Sequence, residues 1–338
     1  MGTLTRYIIT RILLTIPMVF ILLTIVFVVL RVMPGDPVSS LLGGHAPEHV
    51  IEKKKEELGL NRPMAVQYVT YLWQICRLDL GDSMVFKQRV TKAIKEKLPA
   101  TIELTFFAMI ITILLGVFMG AYAADKRRTP QDNFIRLYGI VIFCIPVYWL
   151  GLMFQLIFGV WLDVLPIAGR TGPRVFASTF EQTGFYVVDT ILIRDFSALG
   201  DVLLHLILPS FTLGMVLSGI FVRLTRANML DVLKADYILA AEARGIKHRV
   251  IVYKHALKNA FIPVLTMFGL QFALLMAGAV LTESTFSWPG MGRLLLERIY
   301  LRDYPTLQGV IVVFALFVAT VSLIVDIIYA IIDPRVRY

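Results

Sequence analysis

An all-α integral membrane protein with six transmembrane helices is predicted by three observations. Apolar residues make up 57% of the 338-residue chain, against about 45–50% in soluble domains, and the mean hydropathy is +0.75. Six apolar stretches, near 12–30, 100–124, 137–161, 202–222, 262–281 and 307–332, are long enough to cross a hydrocarbon core about 30 Å thick. The polar segments between them carry their basic residues unevenly, as the flanks of membrane spans do.

The first span follows Arg6 and Arg11 and runs over Ile12–Leu30 without a charge. It is too long for a secretory signal and is followed by Pro34-Gly35-Asp36-Pro37 rather than a cleavage site, so it reads as a retained anchor within 1–30. Residues 31–99 form a polar, mostly helical insertion. Lys53–Lys55 with Glu52, Glu56 and Glu57 give an exposed helix, and Val66–Ile75 a second, amphipathic one after Asn61-Arg62-Pro63.

Residues 100–332 hold the other five spans. Pro99 opens the second, with Glu103 in its first turn and Gly116 and Gly120 spaced for close helix contact. Lys126, Arg127 and Arg128 stop it. The third, 137–161, contains Pro146, tolerable where neighbours satisfy the freed backbone groups. In the polar loop 163–201, Tyr186–Ile193 has the weak alternation of a short strand or hairpin. The fourth span ends at Arg223 and Arg226, the fifth is entered through Pro263, and residues 333–338 form the tail.

Six spans put both termini on one side. The segments assigned inside carry sixteen Lys and Arg, the two short outside loops six. The positive-inside rule therefore assigns the termini and residues 223–261 to the cytoplasm and 31–99 to the outside of a cell membrane. The net charge of +9 is read as this orientation signal, not as a nucleic-acid footprint; no basic run interleaved with aromatics is present.

The longest polar interruption of the C-terminal half is Asp236–Pro263. Asp236 is a candidate N-cap for a helix over Tyr237–Arg244, and Gly245 a candidate residue to end it. Ala240, Ala241 and Ala243 would let another surface approach the helix backbone. A second pattern, Val250, Tyr253 and Leu257, marks an apolar face opposite Lys254 and Lys258. The stretch is either a docking element or a solvated loop with incidental helix.

The chemistry is sparse. Asp326 is the one acidic or basic residue well inside a span, which is poor support for a proton or sodium relay; a packing contact explains it better. Glu103 and Glu283 sit at span ends and read as interfacial. No G-x-x-x-x-G-K-[ST] run occurs, so the chain does not hydrolyse ATP by a P-loop. No spacing implies a metal site or cofactor; His45, His49, His248 and His255 read as ordinary polar residues, and no nucleophile–base arrangement is legible. Cys76 and Cys144 suggest no disulfide framework. A six-span body without its own energy source, bearing a surface for a partner, fits a pathway driven by a separate motor. The alternative class is a stand-alone ion-coupled carrier.

Along nearly its whole length the chain resembles the peptide-type permease subunits of ABC importers, in particular the B-type subunit of dipeptide and oligopeptide systems. The resemblance rests on Pro34-Gly35-Asp36-Pro37, Leu98-Pro99-Ala100-Thr101-Ile102-Glu103-Leu104, Leu208-Pro209 and Arg223-Leu224-Thr225-Arg226-Ala227-Asn228-Met229-Leu230. It continues through His255 to Pro263, Glu283, Phe286-Ser287-Trp288-Pro289-Gly290-Met291-Gly292, Arg302-Asp303-Tyr304-Pro305 and Asp333-Pro334-Arg335. It implies the type I importer fold and pairing with a C-type permease. It also implies an extracytoplasmic substrate-binding protein, and cytoplasmic ATPase subunits seated on an EAA-type loop at Asp236, Tyr237, Ala240, Ala241, Ala243, Arg244, Gly245 and Lys247. Leu239 stands where the general loop pattern has Glu, as in peptide-type members. Peptides are the implied substrate; close relatives import nickel complexes or oligosaccharides.

Overall fold

The computed structural model describes residues 3–32, 47–57, 59–173, 175 and 182–332. Pro34–Pro37, His45, Arg174 and the tail 333–338 lie outside the described residues. Those described are overwhelmingly helical; their one β feature is an isolated bridge between Asp82 and Arg89.

Among the described residues, five helices are long and apolar enough to cross a membrane, and a sharply bent pair makes a sixth when taken as one broken span. The first span is Thr3–Val32. After it come the helices Glu48–Glu57 and Met64–Cys76, the latter burying Tyr71 and Ile75 against Leu23, Val26 and Phe27 of the first span.

The second span does not begin at Pro99. Its helix starts at Val90 and runs to Asp125, with a π-helical turn at Ile113–Val117. Pro99 lies inside this helix, about two and a half turns beyond its start, where its missing N–H costs a single backbone bond.

The third span is broken. Pro130–Cys144 and Val147–Trp161 meet at 102°. Proline disfavours the α conformation of the residue before it, and both Ile145 (φ −78, ψ 126) and Pro146 (φ −60, ψ 131) are extended. The first half starts earlier than expected because Thr129 caps it, accepting from the Asp132 N–H, with Pro130 next in the chain.

Tyr186–Leu192 is a helix, not the expected strand. Its β-branched residues favour extended chain, but tertiary contacts override them. Asp189 accepts from the backbone of Thr183 and Gly184 at 3.0 Å each, and the Glu103 carboxylate, a span away, accepts from the Val187 N–H at 2.8 Å.

The fourth span, Phe196–Val232, continues through Arg223 and Arg226. At 37 residues it is about 55 Å long, so its ends project beyond a hydrocarbon core. It is the hub of the bundle. A Cβ on Gly116 would lie 2.5 Å from Phe221 Cβ, and one on Gly120 2.8 Å from Thr225 Cβ; the absent side chains let the second span seat on its backbone. A core of Ala100, Leu104, Ala108, Leu213, Phe221, Val264, Phe268 and Trp288 joins the second, fourth and fifth spans.

The fifth span begins at His248, passes through a π-helical stretch at Ile251–Ala256 and continues as Leu257–Gly278. Pro263 lies inside this helix. Val280–Thr285 and Met291–Tyr300 lead to the sixth span, Tyr304–Ile332. Arg11 of the first span reaches Asp326 of the sixth at 3.2 Å.

Candidate docking site at one end of the helix bundle

The short helix is Asp236–Ala243. Its N-cap is Ala235, whose backbone is extended; Asp236 occupies the first helical turn and makes no capping hydrogen bond. This corrects the assignment of Asp236 as the cap: its carboxylate acts only through its charge near the positive end of the helix. The other end is as expected. Gly245 has φ +71, its N–H donates to the Glu242 carbonyl at 2.9 Å and that of Ile246 to the Ala241 carbonyl at 3.2 Å. This pair of bonds closes a helix through a left-handed residue, which glycine adopts without penalty.

Eight residues of helix are not stable alone. Burial of one face holds them. Ile238 and Ala241, one turn apart, point inward and pack with Ala121 and Ala124 of the second span, Met229 of the fourth, and Ile251, Val252, Ala256 and Ala260 of the fifth. Ile246 closes the edge of this cluster.

The opposite face is open. Asp236, Tyr237, Ala240, Ala243, Arg244, Gly245 and Lys247 are all exposed, so seven of the eight expected contact residues lie on one accessible surface. Ala241 is the exception: it faces the spans. Leu239 is 56% exposed, an apolar side chain on open surface where the general loop pattern has Glu.

The apolar face expected at Val250, Tyr253 and Leu257 is displaced. Val250 and Tyr253 are exposed, and Ile251, Val252, Ala256 and Ala260 are buried instead. The π-helical turn there inserts an extra residue and rotates the buried stripe relative to a 3.6-residue period. Lys254 and Lys258 stay exposed.

Polar contacts tie this end together. Asn259 Nδ2 donates to Tyr237 Oη at 2.8 Å. His248 Nε2 and Asp125 Oδ1 lie 2.5 Å apart. Arg226 grips Asp132 with two bonds, Nε to Oδ1 at 2.6 Å and Nη2 to Oδ2 at 2.8 Å, joining the fourth span to the third. None of these partners has a local sequence signal, since they are separated by 22, 123 and 94 positions.

The other end of the bundle holds the two carboxylates expected at the interface, and both are buried. Glu103 pairs with Arg170, whose Nη2 lies 2.6 Å from Oε2; the guanidinium also stacks 3.6 Å from the Tyr186 ring centroid. Glu283, 0% exposed, accepts from Thr101 Oγ1 at 2.5 Å and from the Arg293 N–H at 2.9 Å, while Thr101 accepts from the Met291 N–H at 2.7 Å. Together they satisfy amides at the start of Met291–Tyr300 that the helix leaves unpaired. A side chain at Gly290 would collide with the Glu283 carboxylate, which explains the glycine there. Burial pushes the Glu283 carboxyl up to about 7, against the pull of its Thr101 and backbone donors. Among the described residues, no group of three or more His, Cys, Asp or Glu side chains could hold a metal ion.

The chain is thus a multi-pass helical body carrying one short helix that is packed against three spans on one face and open on the other. Residues 112–338 match the family described as binding-protein-dependent transport system inner membrane component, and residues 4–105 match the N-terminal component of the same systems. The chain belongs to this family, and its fold is that of the type I ABC importer permeases. It is 42% identical to the dipeptide transport system permease protein DppB of Alkalihalophilus pseudofirmus, over 98% of this chain and 99% of that one. To the di/tripeptide transport system permease protein DppB of Pseudomonas aeruginosa it is 37% identical, over 98% of each. To the glutathione transport system permease protein GsiC of Pectobacterium atrosepticum it is 35% identical, over 98% and 99%. The chain is thus a multi-pass membrane permease component of a binding-protein-dependent system.

Proposed function

We propose that the chain forms half of a membrane pathway for peptides, beside a C-type permease subunit, and that cytoplasmic ATPase subunits seat on the open face of Asp236–Ala243 with Arg244, Gly245 and Lys247. Both termini and residues 223–261 then face the cytoplasm. Residues 31–99 lie outside, where a substrate-binding protein delivers its load. The observation that carries this reading is the division of the short helix into an open face and a face fixed to three spans. A partner moving that helix moves the spans with it. Ala241 takes part through the spans rather than by contact.

The substrate assignment draws on the relatives, named as transport systems for dipeptides, di/tripeptides and glutathione, over the nickel-complex and oligosaccharide alternatives. The orientation draws on the distribution of Lys and Arg.

The test is uptake by the complete complex in proteoliposomes. Ala240→Glu and Gly245→Asp are expected to cut ATP-driven uptake at least tenfold while membrane insertion stays intact. Normal transport by both would sink the docking assignment. Uptake of a nickel chelate or an oligosaccharide in place of di- and tripeptides would overturn the substrate class.

A further inference from the structure

One polar contact joins the short helix's mount to the second span. His248, just beyond the short helix, is 63% exposed, yet its Nε2 lies 2.5 Å from Oδ1 of Asp125, whose side chain is only 8% exposed. Lys126 Nζ reaches the other carboxylate oxygen at 3.1 Å. Asp125 is the last residue of the second span. Beside it, Ala121 and Ala124 pack against the cluster that holds Ile238 and Ala241. Load on the short helix therefore bears on the last two turns of this span by packing and through one polar side chain.

The second span is a single run of helix from Val90 to Asp125, held against the fourth span by Gly116 and Gly120. Near its other end it carries Thr101 and Glu103, two residues apart, which bind Glu283 and Arg170. The same helix thus joins the mount of the short helix to the buried carboxylates at the far end of the bundle.

We propose that Asp125 and His248 are positioning residues for coupling: their contact delivers movement of the short helix to the second span, and through that span to the Thr101–Glu283 and Glu103–Arg170 contacts. The proposal rests on the docking reading above.

The experiment uses the complete complex in proteoliposomes, with peptide uptake and ATP hydrolysis measured on the same samples. Asp125→Ala and His248→Ala are each expected to lower peptide taken up per ATP at least fivefold, with ATPase subunits still co-purifying and the melting temperature of the complex unchanged. The double variant should be no worse than the poorer single one, because the two side chains act as a unit. Asp125→Glu should recover to within twofold of the parent. Uptake per ATP within twofold of the parent in both single variants overturns the proposal, as does loss of the ATPase in both, which would make the contact part of docking. Ala240→Glu separates the two readings. If it and Gly245→Asp both keep full ATPase and full uptake, the docking reading falls and the tie falls with it. If it is defective while Asp125→Ala is not, the tie alone falls.

Discussion

Arg170 Nη2 lies 2.6 Å from Glu103 Oε2, and the two side chains are 4% and 3% exposed. The pair fastens the loop after the third span to the second span, at the end of the bundle opposite the short helix. Arg170 also donates to the Gly184 carbonyl at 3.1 Å and lies over the Tyr186 and Trp288 rings. Removing one member of a buried pair strands the other charge and costs about 3–5 kcal/mol. Glu103→Gln and Arg170→Met are each expected to lower the melting temperature of the purified complex by several degrees. The double variant should recover much of that loss. Equal melting of either single variant and the parent would show that the pair adds nothing to stability.

Glu283 makes the stability of the same end depend on pH. Its carboxyl is raised from 4.5 to about 7, chiefly by burial, so the folded chain favours the protonated form. The contribution is fully present below pH 4.5 and is lost as pH rises through about 7. The shift corresponds to about 3 kcal/mol at 1.36 kcal/mol per unit. The parent's melting temperature should fall between pH 6 and pH 8 more steeply than that of Glu283→Gln, in which this group no longer titrates. Parallel slopes for the two proteins would remove Glu283 as the cause.

Asp326 and Arg11 meet at 3.2 Å with side chains 35% and 42% exposed. Asp326→Asn should leave ATP-driven uptake within about twofold of the parent, and dissipating the proton or sodium gradient should not change it. Loss of uptake on either treatment would revive a relay at this carboxylate and a carrier of the ion-coupled class.

Much of the site was legible locally. Gly245 ends the short helix because a left-handed residue is needed there, and the alanines that suggested close approach include two on its open face. The expected cap at Asp236 and contact at Ala241 were not borne out by the geometry. Helix phase and the neighbouring spans decide which way each residue points, and an alanine reads the same inward or outward. In sequence Leu239 is only a departure from the general loop pattern; its exposure beside Tyr237 is a tertiary fact.

The carboxylates show the same limit. Glu103 and Glu283 lie near span ends, where a charge is ordinarily hydrated, and nothing adjacent to either in the chain names a partner. Arg170 is 67 positions from Glu103 and Thr101 is 182 from Glu283. Only the folded bundle brings a donor to each.

Hydropathy by itself specifies the membrane, the number of apolar stretches and their order, because the transfer of each stretch into hydrocarbon is a property of its own residues. Charge counting adds an expected orientation for the same reason. The break at Ile145–Pro146 is also local, but its 102° angle depends on what the two halves pack against. The reach of the fourth span to Val232, the helix at Tyr186–Leu192 and the ties at Asp125 and Asn259 were decided by tertiary structure. Each depends on hydrogen bonds or packing between segments distant in the chain, whose energies no single segment contains.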